Sequence, residues 1–80
     1  MYTYFTKGTC SKQINFELDS ENRVHDVVFF GGCNGNLKAI AKLVEGMEAS
    51  KVIEILEGNL CGVKKTSCAD QLAKALKERI

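Results

Sequence analysis

Hydrophobic residues recur with a period of two in the first half of this chain and with a period near 3.6 in the second. The changeover falls in one glycine-rich segment, Gly31-Gly32-Cys33-Asn34-Gly35-Asn36. A strand sends successive side chains to opposite faces, whereas a helix stacks residues three and four apart, so neither half suits the structure of the other. Gln13 to Asp19 alternates cleanly, with Ile14, Phe16 and Leu18 on one side and Gln13, Asn15, Glu17 and Asp19 on the other. This pattern predicts a half-buried strand. Asp19-Ser20-Glu21-Asn22 is a turn by residue type. Val24 to Phe30 reads as a second, more buried strand, so residues 13–30 are expected to form a hairpin. Residues 2–6 (Tyr-Thr-Tyr-Phe-Thr) are rich in β-formers and supply a third strand.

Beyond the changeover, Leu37, Ile40, Ala41 and Val44 fall at the spacing of one helix face, and Gly46 stops that helix. A second short helix fits residues 49–57, with Val52, Ile53 and Leu56 inward and Gly58 as its stop. Residues 59–66 read as a loop. Ser67 and Asp70 have the spacing of a capping box, with Asp in place of Glu, and open a third helix. Its expected inner face is Leu72, Ala75, Leu76 and Ile80. Strands followed by helices predict an α+β fold: one domain over residues 1–80, a small three-stranded antiparallel sheet with two or three helices packed on one face.

Composition narrows the function. Eleven Lys and Arg against ten Asp and Glu give a net charge of +1, without the basic excess expected of a nucleic-acid-binding domain. The longest uncharged apolar run, Val27–Phe30, is far shorter than a bilayer-spanning helix. The opening Met1-Tyr2-Thr3-Tyr4 lacks the basic and apolar regions of a secretory signal, which makes the cytoplasm the expected compartment. No Ser–His–Asp set or full phosphate-binding glycine motif is present, so no hydrolase or nucleotide site is expected. The glycine-rich elbow and Lys64-Lys65 each precede a helix start, where an anion could sit. A solvated loop is the plainer reading of the lysine pair, and the elbow lacks a full nucleotide-binding motif. The lone histidine, His25, reads as a surface strand residue or a spare ligand.

The four cysteines are the distinctive feature. Cys10 lies between the first two strands, Cys33 in the elbow, Cys61 in the loop before the last helix and Cys68 in that helix's first turn. All four fall at the ends of elements. In a reducing compartment such cysteines are more often metal ligands, redox thiols or packed small side chains than cross-links. Cys33 and Cys68 lie near helix N-termini, where the local positive potential favours thiolate. Convergence of Cys10, Cys33, Cys61 and Cys68 would suit tetrahedral sulfur coordination of Zn²⁺ or an iron–sulfur cluster. Gly32 and Gly35 would allow close backbone approach, and Asp70 would support the helix start. Separations of 23, 28 and 7 residues match no finger motif. Cys61 and Cys68 are also a candidate redox pair, provided their Cα atoms come within about 7 Å.

The run Gly58-Asn59-Leu60-Cys61-Gly62-Val63-Lys64-Lys65-Thr66-Ser67-Cys68-Ala69-Asp70-Gln71-Leu72-Ala73 resembles the signature of the TSCPD domain family, with Ala69 where the family's motif has proline. Phe30-Gly31-Gly32-Cys33-Asn34-Gly35-Asn36 and Gly8-Thr9-Cys10-Ser11 also resemble its short free-standing members. The family's domain also occurs at the C-terminus of adenosylcobalamin-dependent ribonucleotide reductases. The resemblance therefore implies an accessory module of ribonucleotide reductase (ribonucleoside-diphosphate reductase), with a reductase subunit or a second copy of the chain as partner. Eighty residues are too few for the barrel and cofactor pocket of the enzyme itself. The order of elements is also similar to the NifU/IscU-type iron–sulfur scaffold, which implies a cluster scaffold or carrier role for Cys10, Cys33 and Cys68. That scaffold's early Cys-Gly-Asp is here Cys10-Ser11-Lys12. A non-catalytic interaction domain with packed thiols is the remaining alternative.

Overall fold

The computed structural model describes residues 2–9, 11–32, 34–60 and 66–80. Strands β1 (Tyr2–Phe5), β2 (Ser11–Leu18) and β3 (Val24–Gly31) are followed by helices α1 (Asn34–Val44), α2 (Ala49–Leu56) and α3 (Cys68–Lys77). The sheet is an antiparallel meander in the order β1-β2-β3. This is the expected α+β arrangement. Ile14 and Phe16 of the central strand are almost completely buried, and with Val24, Val27, Val44, Val52, Leu72 and Leu76 they form the core between sheet and helices. Tyr2 lies opposite Phe16, their rings 5.5 Å apart and tilted, and Arg79 stacks over the outer side of Tyr2 at 4.9 Å.

The third strand departs from the expectation. Asn15 pairs with Val28 and Glu17 with His25, so Phe16 alone faces both Asp26 and Val27. This bulge inserts one residue and reverses the inward parity of the strand. Val24 is inward before it, and Val27 and Phe29 after it. Val28 and Phe30, read from the sequence as part of a buried strand, stand on the open face at 47% and 46% exposure. Asp26 takes up the bulge in the left-handed region, φ 54°. The amide it withdraws from the ladder donates to Glu45 Oε1 at 2.9 Å, so the backbone group is not stranded. A second irregularity at Lys12 turns Ser11 inward and starts β2 two residues before the clean alternation.

Helix α1 begins at Asn34, a turn earlier than its first inward apolar residue, Leu37. Gly46 (φ 78°) ends the turn after α1 and donates to Val24 O, while Val24 N–H donates to Met47 O. The α1–α2 connection thus lies against the start of β3, where Arg23 and Glu48 form an isolated bridge. Ile80, expected on the inner face of α3, is half exposed because α3 stops at Lys77. Among the described residues, no helix is long and apolar enough to cross a membrane.

Candidate thiol site

Helix α3 is unusual for so polar a sequence: Ala69, Asp70, Gln71, Leu72, Ala73, Ala75 and Leu76 are all buried. Its alanines let the sheet and α2 approach closely, and its polar first turn is satisfied by hydrogen bonds. Ser67 caps the helix in an extended conformation (φ −146°, ψ 170°), its Oγ accepting from the Asp70 amide at 3.0 Å. The same hydroxyl donates to Asn59 O. Only one arm of the expected capping box is made. The Asp70 side chain turns away from the cap and accepts from the Thr66 hydroxyl at 2.5 Å and the Gly58 amide at 2.8 Å. A shorter Asp at this position serves the loop before the helix, where a Glu would reach back to the cap.

Gln71 completes the network. Its Nε2 donates to Thr66 Oγ1 at 3.0 Å, and its Oε1 accepts from the Lys7 amide at 3.1 Å. Thr66, Ser67, Asp70 and Gln71 are all buried. Among the described residues no buried side-chain nitrogen or oxygen lacks a partner, as a low-dielectric polar cluster requires. Burial would raise the Asp70 carboxyl. The hydrogen bonds from Thr66 and Gly58, together with Lys74 at 3.3 Å, outweigh it and hold Asp70 below the ordinary carboxylate value.

Cys68, the first residue of α3, is half-buried and stands in the chain between the network residues Ser67 and Asp70. Cys10, Cys33 and Cys61 lie outside the described residues, as do Lys64 and Lys65; the proposed Cys61–Cys68 pair therefore lies partly outside them too. The segments that lead to these cysteines are described. Ser11, next to Cys10, is the cross-strand partner of Gly31, two residues before Cys33. Lys7 is bonded to Gln71, and Gly8 (φ 75°) lies so close to Thr66 that a Cβ there would sit 3.3 Å from its methyl group. Gly58 and Asn59, just before Cys61, are bonded to Asp70 and Ser67. Gly32 has φ 83°, a left-handed conformation that suits glycine. Gly35 sits in the first turn of α1 where a Cβ would meet nothing within 4 Å, so nothing there requires glycine.

His25 lies elsewhere. It is six residues, ~20 Å of strand, from the Gly31 end of β3. Its Nε2 shares a hydrogen bond with Asp19 at 2.8 Å and its Nδ1 one with Glu45 at 2.6 Å. Both ring nitrogens face carboxylates, first Asp19 and then Glu45, which raises the imidazole above its ordinary value. Asp19 and Glu45 are lowered, chiefly by the backbone amides of Arg23 and Asp26 respectively and next by His25. These groups pin the β2–β3 turn to the end of α1. Among the described residues, no group of three or more His, Cys, Asp or Glu side chains is arranged to hold a metal ion.

The fold and this corner define a class: a small α+β domain whose last helix opens on a cysteine and is clamped by a buried Thr–Asp–Gln network. The chain belongs to the TSCPD domain family, whose profile matches residues 2–80. Thr66, Ser67, Cys68 and Asp70 are the motif residues present here; Thr66, Ser67 and Asp70 build the helix start by their hydrogen bonds, and Cys68 is the first residue of the helix. Neither a curated protein nor a solved structure matches the chain.

Proposed function

We propose that this chain is a thiol-bearing accessory module of the ribonucleotide reductase type in which Cys10, Cys33, Cys61 and Cys68 act as one site. The observation that carries the reading is the tethering of the cysteines' neighbours. The approaches to Cys10 and Cys61 are both hydrogen-bonded to the first turn of the helix that opens on Cys68. The approach to Cys33 is paired across the sheet with the residue after Cys10. Four thiolates suit Zn²⁺ or an iron–sulfur cluster. A structural Zn²⁺ would add an apparent ~10–16 kcal/mol of folding-coupled binding energy, large for a core this small. The residues of this chain would contribute a helix N-terminus behind Cys68 and a closed polar network beneath it. A reductase subunit or a second copy of the chain is the partner this reading expects.

Anaerobic purification followed by metal and acid-labile sulfide analysis tests it. One metal centre per chain, lost when the cysteines are changed to Ser, is the expected result, with a lower Tm in chelator. Labile sulfide would favour a cluster carrier over a zinc module. Absence of metal, a Tm indifferent to chelator and no Cys61–Cys68 disulfide on mild oxidation would together leave only a packed-thiol interaction domain.

A further inference from the structure

We propose that Gln71 is a positioning residue that sets the two loops carrying Cys10 and Cys61 against α3. The inference rests on the shared thiol site proposed above. Its basis is the direction of the buried hydrogen bonds. The Lys7 amide donates to Gln71 Oε1, Gln71 Nε2 donates to Thr66 Oγ1, and the Thr66 hydroxyl donates to Asp70 Oδ2. From the other side the Gly58 amide donates to Asp70 Oδ1. Every donor points toward one carboxylate, so each bond polarises the next. The two ends of this chain of bonds are backbone amides, one three residues before Cys10 and the other three before Cys61. The middle is the helix turn bearing Cys68.

A leucine or methionine at position 71 would fill the same buried space without the cost of desolvating an amide. Gln71 uses both ends of its carboxamide, accepting from a loop 64 residues away and donating to the helix start. Neither the Thr-Ser-Cys-Ala-Asp run nor the helix periodicity singles it out. Outer partners orient metal ligands by bonding them without touching the metal; Gln71 would act one step further out, through the backbone it holds at Lys7 and the helix start at Thr66.

The test compares full-length wild type with Gln71→Met, which keeps length and burial but makes neither bond, and with Gln71→Glu, which keeps only the acceptor for Lys7. Val52→Ala, in the core of α2 away from the network, is the control for lost stability. Anaerobic titration with Co²⁺, read by thiolate-to-metal charge-transfer absorbance, should show Gln71→Met weakened ~10–100-fold and Gln71→Glu in between, with Val52→Ala near wild type. Equal weakening in Gln71→Met and Val52→Ala would overturn the proposal while leaving the shared site standing. If wild type binds no Co²⁺, the shared site falls, and amide hydrogen exchange of the metal-free protein decides the role of Gln71. Protection lost at both Lys7 and Gly58 in Gln71→Met sustains the positioning role, because the Gly58 amide is bonded to Asp70. Loss at Lys7 alone overturns it.

Discussion

Replacing Asp70 by Asn removes a charge and almost no volume, which makes it the cleanest perturbation of the buried corner. The carboxylate is 3% exposed and accepts from two partners that cannot turn to water, the Thr66 hydroxyl at 2.5 Å and the Gly58 amide at 2.8 Å. Hydrogen bonds to a charged acceptor contribute ~1.5–3 kcal/mol each, and a buried donor left without one costs ~1–3 kcal/mol. An Asn side chain offers one carbonyl oxygen for one of the two donors and presents an NH₂ group to the other. The expected loss is therefore ~3 kcal/mol, against a total of ~4–12 kcal/mol for a domain of this size. Urea denaturation should shift by ~2–3 M, given a slope near 1 kcal/mol/M for a small domain. The thermal midpoint should fall by ~12–24 °C.

The acid limb supplies the sign. Asp70 is held below its ordinary value in the folded state, so its contribution is complete above that value, ~3.9, and is lost as pH falls through the folded value. Asp19 and Glu45 are also lowered, so Asp70→Asn should make the acid limb shallower without abolishing it. A neutral-pH stability within ~0.5 kcal/mol of wild type, the range of an inert surface change, would refute the role given to the ionised carboxylate.

The same denaturation assay reads three further sites. His25 is raised by Asp19 and Glu45, so its contribution is full below the ordinary imidazole value of ~6.5 and disappears as pH rises through the folded value. The decline in stability on that alkaline side should vanish in His25→Gln, and since His25 is the sole histidine, its proton NMR titration can be followed without assignment. Phe16→Ala, which empties a site packed against Tyr2, should cost ~3–5 kcal/mol. Ile80→Ala, beyond the end of α3, should stay within ~0.5 kcal/mol of wild type, and a core-sized loss there would contradict the exposure described.

Element type was legible in the sequence wherever a single face is buried, as at Ile14 and Phe16 or at Leu37, Ile40, Ala41 and Val44. Parity was not legible in β3, because the bulge at Asp26 depends on register with β2 and on a carboxylate at position 45 ready to receive the displaced amide. The first turn of α1 was hidden for a simpler reason: Asn34, Gly35 and Asn36 carry no inward apolar residue, and such a run reads as a break. The motif at Thr66, Ser67, Cys68 and Asp70 marked the site, yet the partner of each hydroxyl and carboxylate was not visible. Gln71 looked like one more polar helix position because its acceptor's donor, the Lys7 amide, lies 64 residues away. Charged and polar residues are legible as surface by default, and the ones that matter here are those for which long-range pairing reverses that default.

The hydrogen bond from Lys7 to Gln71 also orders the chain in time. Each strand of the meander pairs with its sequence neighbour, so the sheet can zip from short loops, whereas contacts between chain ends are slow to form. The bond between Lys7 and Gln71, 64 residues apart, therefore forms late. During synthesis the sheet can form before α3 is made, and only once α3 is present can Gln71 accept from the Lys7 amide. Among the described residues, the buried polar corner at the start of α3 is thus one of the last parts of the fold to be completed.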